Sequence, residues 1–311
     1  MKTMPTRTAM KVLSLTATAL FLFFSSCKEQ DTISFSADDN SNLQSEASID
    51  AQSEDLSDLS GVAMTADAGT STGGRAGDVA GNARSIVISD TRFQCATVTL
   101  EFAADNNPSN PATIHGYITI DFGTGCTGPN GRTRKGKIHV EFMGARFLPG
   151  STVTITTENY SIDGIKIDGT RTEINSTGST ENAPKFTINE DVTVTFLDNT
   201  TATRTSTRTR TWNRAANPLE DTWTVTGSAF GTTRKGKDYV MTITNPLVFK
   251  RACAILSKLV LPVQGTKELI VGSNADAKKI TTDFGDGTCD LKVTITINGR
   301  SKDVSLSATG D

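Results

Sequence analysis

The chain has 311 residues, five cysteines, two histidines and a formal net charge of −3. A charge this close to zero argues against a nucleic-acid-binding protein, and two histidines leave little from which to build a metal or catalytic centre. The sequence therefore speaks first about location and architecture.

At the start, Lys2, Arg7 and Lys11 flank the apolar run "VLSLTATALFLFF", which is followed by "SSC". A basic beginning, a short apolar segment and small residues before a cut site describe a secretory signal, residues 1–26. The run is shorter than the roughly 20 apolar residues that span a bilayer. With Cys27 directly after the small residues, the segment resembles a bacterial lipoprotein signal, although Phe24 stands where Leu or Val is usual. The resemblance implies palmitate-type lipidation of Cys27 as the first mature residue. Lys28 in place of an Asp then implies the outer membrane, and "KEQD" resembles the charged signals of surface-exposed lipoproteins.

From residue 28 to 90 there are 12 acidic residues against three basic ones. Such composition buries too little apolar surface to offset ordering entropy, so residues 27–90 are expected to form a flexible acidic tether. Residues 91–311 carry 25 Lys or Arg against 22 Asp or Glu, near +3.

Beyond residue 91 the apolar period is two. In "LKVTITI" Leu291, Val293, Ile295 and Ile297 alternate with Lys292, Thr294 and Thr296; "GKIHVEF" repeats the pattern around Ile138, Val140 and Phe142. Alternation of this kind predicts half-buried antiparallel strands. Asn298-Gly299, Asp163-Gly164 and Asp198-Asn199 separate such runs and read as hairpin turns, with Gly169 as an in-strand bulge. "ACAILSKLVLPV" (252–263) reads as a strand buried on both faces. The fold class is all-β: one domain over 91–311, an antiparallel meander of about a dozen strands forming a sandwich or a curved open sheet.

With Cys27 set aside, Cys95, Cys126, Cys253 and Cys289 imply two disulfides in an exported chain. Two copies of one pattern, "ITIDFGTGC" and "ITTDFGDGTC", each place a cysteine just after a strand end. A hairpin brings such an end back to the strand opened by the preceding cysteine, which favours Cys95 with Cys126 and Cys253 with Cys289. Asp283, Asp286 and Asp290 suggest calcium, but the earlier copy has Thr124 where Asp286 stands. The reading shared by both copies is structural: Asp accepts backbone N–H bonds, Phe packs and glycine supplies positive φ. Nothing in the chain calls for a cofactor.

"GRTRKGK" (131–137) recurs as "GTTRKGK" (231–237), suggesting a duplicated hairpin unit. "TATRTSTRTRTW" carries Arg204, Arg208 and Arg210 on one strand face, ending at Trp212, with threonines on the other. With neither face apolar, an edge or outer strand is expected. The sharper reading is a groove in which these arginines pair the acid groups of an anionic glycan while Trp212 or Trp223 stacks.

Taken together, the lipobox, "DFGTGCTGPNGRTRKGK", "GTRTEI", "TATRTSTRTRTW" and "DFGDGTCD" resemble a family of Bacteroidota lipoproteins with no assigned activity. The resemblance implies an envelope location and nothing catalytic. A non-enzymatic binding or adhesion module is expected, held to the membrane by its lipid anchor and partnered by a glycan or an envelope protein. Its rivals are a carrier of an apolar ligand in the curve of the sheet and a glycan-active enzyme with two acids across a cleft.

Overall fold

The computed structural model describes residues 36–66, 83–107, 109–129, 131–180, 182–253, 261–273 and 277–306. Cys27 and the signal lie outside the described residues. The strands are β1 (Arg84–Ser85), β2 (Thr97–Phe102), β3 (His115–Asp121), β4 (Cys126–Thr127), β5 (Thr133–Met143), β6 (Thr152–Ile162), β7 (Ile165–Asn175) and β8 (Lys185–Thr195). They continue as β9 (Thr201–Asn213), β10 (Thr222–Thr232), β11 (Asp238–Lys250), β12 (Gln264–Val271), β13 (Lys278–Asp286), β14 (Lys292–Ile297) and β15 (Arg300–Ser305). They form a single open antiparallel sheet in meander order, with the short β4 pairing β5 off the main path.

The expected turns form. Asp163-Gly164 joins β6 to β7 and Asn298-Gly299 joins β14 to β15, all four residues at positive φ. Gly169 is not itself bulged, because it pairs with Val192 in unbroken register. Its irregularity belongs to β6, where the pairing with β7 slips between Thr156 and Ser161. Glycine is needed for another reason: a Cβ at 169 would stand 2.1 Å from the Asp191 carbonyl oxygen. The stretch expected as a doubly buried strand begins with a helical turn over residues 251–253, and its middle lies outside the described residues.

The tether expectation needs the largest correction. Ala37–Ala66 forms a 30-residue helix, α1, and most of its side chains are buried whether apolar or polar. Its first turn is closed by a capping box: Ser36 Oγ accepts from Asp39 N, and Asp39 Oδ2 accepts from Ser36 N. A helix polar on most of its surface has no apolar face to dock. It is ordered because the sheet folds around it, offering apolar residues to two stripes and cations to its acids. Leu43, Ala47 and Ala51 join one core with Val225, Met241, Phe249 and Ile295. Ile49, Leu56, Leu59 and Ala63 join a second core with Leu100, Ile118, Phe142 and Tyr160. Each core lies beside one disulfide-linked segment: Cys95 is bonded to Cys126 and Cys253 to Cys289.

Candidate ligand-binding site

β9 is not an edge strand. It lies between β8 and β10, and its arginines face inward. Arg204 is 0 % exposed and donates to Asp50 of α1 at 2.6 Å; Arg208 lies 2.7 Å from the same carboxylate. Lys267 on β12 adds a third cation, 2.8 Å from Asp50, and also pairs with Glu46. One turn further along, Glu54 meets Arg210 and, at 3.6 Å, Arg171 of β7. Asp55 takes Arg134 of β5 at 2.8 Å. The anion-pairing groove read from "TRTSTRTR" is thus present, and the chain's own acidic helix fills it. The reason is charge compensation: buried guanidinium ions are tolerated where carboxylates meet them at hydrogen-bond distance.

These partnerships set the protonation of the interior. Burial alone would raise the Glu173 carboxyl, but Arg171, Arg210, Arg146 and the Ser57 hydroxyl outweigh it and bring it down to about 2. Burial likewise opposes ionisation of Asp50, yet Arg204 and Lys267 lower its pKa. At Glu46 burial prevails, reinforced by the charge of Asp50, and the pKa is raised.

Past the last of these pairs the inner face opens into a cavity of about 430 Å³. Trp212 and Trp223 line it as cross-strand neighbours on β9 and β10, and Phe249 of β11 pairs with Trp223 behind them. The Trp223 ring stacks on Phe249 at 5.4 Å, and Trp212 tilts against Phe147 at 6.1 Å. Trp212 Nε1 donates to the Asp221 carboxylate at 3.1 Å. Most charges lining the cavity already hold opposite charges: Arg92 pairs with Asp58 and Asp90, Arg132 with Asp163, and Arg210 with Glu54. Arg146 and Arg251 also line it, and among the described residues neither meets a carboxylate at ion-pair distance. Burial lowers the Arg146 pKa; Glu173 and Asp58 oppose that from a distance, and Arg210 adds to it.

Of the residues read from the sequence as a ligand groove, the structure sets Trp212 and Trp223 in the cavity wall, turns Arg204 and Arg208 onto α1, and leaves Arg210 at the border between the two. The sequence reading missed Arg146 and Arg251, which belong to no repeat. The repeated "DFG" turn is structural in both copies. Asp121 accepts from Gly123 N at 2.8 Å and Asp283 from Gly285 N at 2.9 Å, while Phe122 and Phe284 are buried. The "RKGK" copies have diverged: Arg134 lies within β5 and pairs with Asp55, whereas Arg234 sits in the β10–β11 turn and pairs with Asp198. The two histidines lie on neighbouring strands out of register, His139 opposite Thr119 and His115 opposite Met143. His115 is clamped instead between Asp105 at 2.7 Å and Glu141 at 3.0 Å. Burial disfavours its charged form, but those carboxylates prevail and raise its pKa. No protein-family model, curated protein or solved structure matches the chain.

Proposed function

We propose that this chain is an outer-membrane lipoprotein, anchored through Cys27, that works as a non-enzymatic binding module for an anionic glycan. The observation that carries the reading is the cavity, where Arg146 and Arg251, which among the described residues meet no carboxylate at ion-pair distance, share the lining with two indoles. Fixed guanidinium groups recognise carboxylate or sulfate in a planar, bidentate manner. Indole faces accept the C–H face of a sugar ring, and a concave apolar site with a few convergent polar groups is the usual form of a small-ligand pocket.

The two rivals find less support. A carrier of an apolar ligand needs an empty oily concavity, and here α1 occupies the inside of the sheet between two packed cores. A glycosidase needs two available carboxylates across one cleft. Around this cavity Asp58 and Asp90 are held by Arg92, Glu54 by Arg210, and Asp221 by the Trp212 indole. The anchor reading rests on the sequence: a basic start, a short apolar run and Cys27 after small residues.

The test is binding of the chain from residue 28 onward, which retains every described residue, to immobilised acidic and neutral polysaccharides. Retention on uronate-bearing polymers that is absent on neutral ones supports the reading. Equal retention on both, or none on either, overturns it. Labelling with a palmitate analogue, lost in Cys27→Ala, tests the anchor.

A further inference from the structure

Gly61 lies inside a long helix, where glycine costs about 1 kcal/mol against alanine. The structure gives it a purpose. A Cβ at this position would stand 2.1 Å from Arg146 Nη1 and 2.6 Å from Arg146 Cζ. The helix is bared so that the guanidinium can lie against its backbone. Arg146 is 9 % exposed, and its main chain is fixed by bonds from Ser151 Oγ at 3.0 Å and Asn175 Nδ2 at 3.1 Å to its carbonyl oxygen. Among the described residues its guanidinium has no hydrogen-bond or ion-pair partner; it lies between the bared backbone at Gly61 and the Phe147 ring, 5.6 Å away. A buried cation held without a counter-ion is costly unless something supplies one.

The surroundings limit what that something can be. Arg146 and Arg251 together suit one or two negative charges, not a densely charged segment. A volume of about 430 Å³ falls at the small end of ligand sites, roughly 300–1,000 Å³. On one side α1 walls the cavity with Glu54, Asp55, Ser57 and Asp58, and the groove behind them is filled by the helix. A polymer lying along the sheet would meet this wall, so a ligand enters by its end.

We infer that the cavity is an end-on seat for a ring carboxylate, the terminal uronic acid of a glycan, with its carboxylate paired to Arg146 and its ring laid on the Trp212–Trp223 wall. The inference rests on the binding reading above and supplies its chemistry. It also explains why a helical glycine occurs beside a buried arginine that meets no carboxylate at ion-pair distance among the described residues.

Calorimetric titration of the chain from residue 28 with glucuronate, glucuronate methyl ester, benzoate and a uronate-terminated oligosaccharide tests it. Glucuronate and the oligosaccharide should bind, and the neutral ester should not. Benzoate binding as tightly as glucuronate would replace the sugar by an aromatic acid and overturn the glycan assignment. Arg146→Gln should weaken glucuronate on the order of 30-fold, the loss expected when one member of a buried charge pair is removed. Gly61→Ala should do the same by pushing the guanidinium aside, in a helix that alanine favours, so folding is retained. Polymer retention that survives both substitutions, and that free glucuronate does not compete away, would sink the seat and leave the binding reading standing. If the unaltered chain binds neither polymer nor monomer, both fall.

Discussion

The middle and the C-terminal part of α1 make opposite use of arginine. In the middle of the helix Asp50 collects Arg204, Arg208 and Lys267 within 2.8 Å. Three turns later Gly61 makes room for Arg146, which meets no acid among the described residues. Both cations are buried. What separates them is the partner: a guanidinium neutralised from within holds the fold together, and one left unneutralised is free for a ligand. Composition does not distinguish the two cases, because only the fold brings the acids of residues 39–55 to strands that follow much later.

The comparison is broken most forcefully at Asp50. Asp50→Ala would leave three buried cations short of an anion, and removing one partner of a buried pair costs about 3–5 kcal/mol. A urea midpoint should fall accordingly. The mirror substitution, Arg146→Gln, breaks no ion pair among the described residues, leaves Glu173 its direct partner Arg171, and removes a buried charge, so the midpoint should hold or rise. If the two variants lose stability equally, the contrast between the two parts of the helix is mistaken.

The disulfides come next. Each closes a segment, with sequence separations of 31 and 36 residues, for which loop-closure entropy gives about 3–4 kcal/mol at 25 °C. Replacing Cys95 and Cys126 together by serine should lower the midpoint by that amount, and replacing Cys253 and Cys289 should do much the same. The two cores flank α1 separately. A large inequality between the pairs would show that one core carries more of the stability.

Acid probes the same interior. Glu173 ionises at about 2 instead of about 4.5. A depressed carboxyl contributes stability that is present above its ordinary pKa and lost as pH falls towards the folded value. Stability should therefore decline between about pH 4.5 and 2, by on the order of 3 kcal/mol from this group. Glu46 has the opposite sign. Its raised pKa gives a contribution present below the ordinary glutamate range and lost as pH rises. Glu46→Gln should therefore flatten the decline on the alkaline side, whereas Glu173→Gln should flatten it on the acid side, both read from denaturation midpoints against pH.

Much of the sheet was legible because a pleated strand with one buried face writes its period directly into the sequence. "LKVTITI" and "GKIHVEF" became β14 and β5, and Asp163-Gly164 and Asn298-Gly299 became the β6–β7 and β14–β15 turns. The helix was not legible. Its apolar residues form two stripes that feed two cores, so no single face repeats at the helical period. Its serines and carboxylates imitate the composition of a chain that cannot fold. The same blindness misplaced β9: an arginine face looks wet unless one knows that Glu46, Asp50 and Glu54 line up at four-residue spacing opposite it. That spacing, one turn apart on a helix, was the available signal. Arg146 left none, since its meaning depends on a glycine 85 positions earlier.

The smallest effect is the most discriminating. Gly61→Ala removes the entropic cost of a helical glycine, a gain of up to about 1 kcal/mol, while the new Cβ collides with the far end of a flexible side chain and not with backbone. The guanidinium can swing into the cavity, so the denaturation midpoint should stay level or rise slightly. Mid-helix alanine substitutions that touch nothing behave in that way. Here the same substitution should also weaken a ring carboxylate on the order of 30-fold, because the cation no longer lies where the indoles can share the ligand. A rise in stability together with a loss of affinity would mark Gly61 as a residue retained for the site at the expense of the fold. A fall in stability would instead make the Arg146–Gly61 contact one more element of packing, and the middle and C-terminal part of the helix would then differ only in degree.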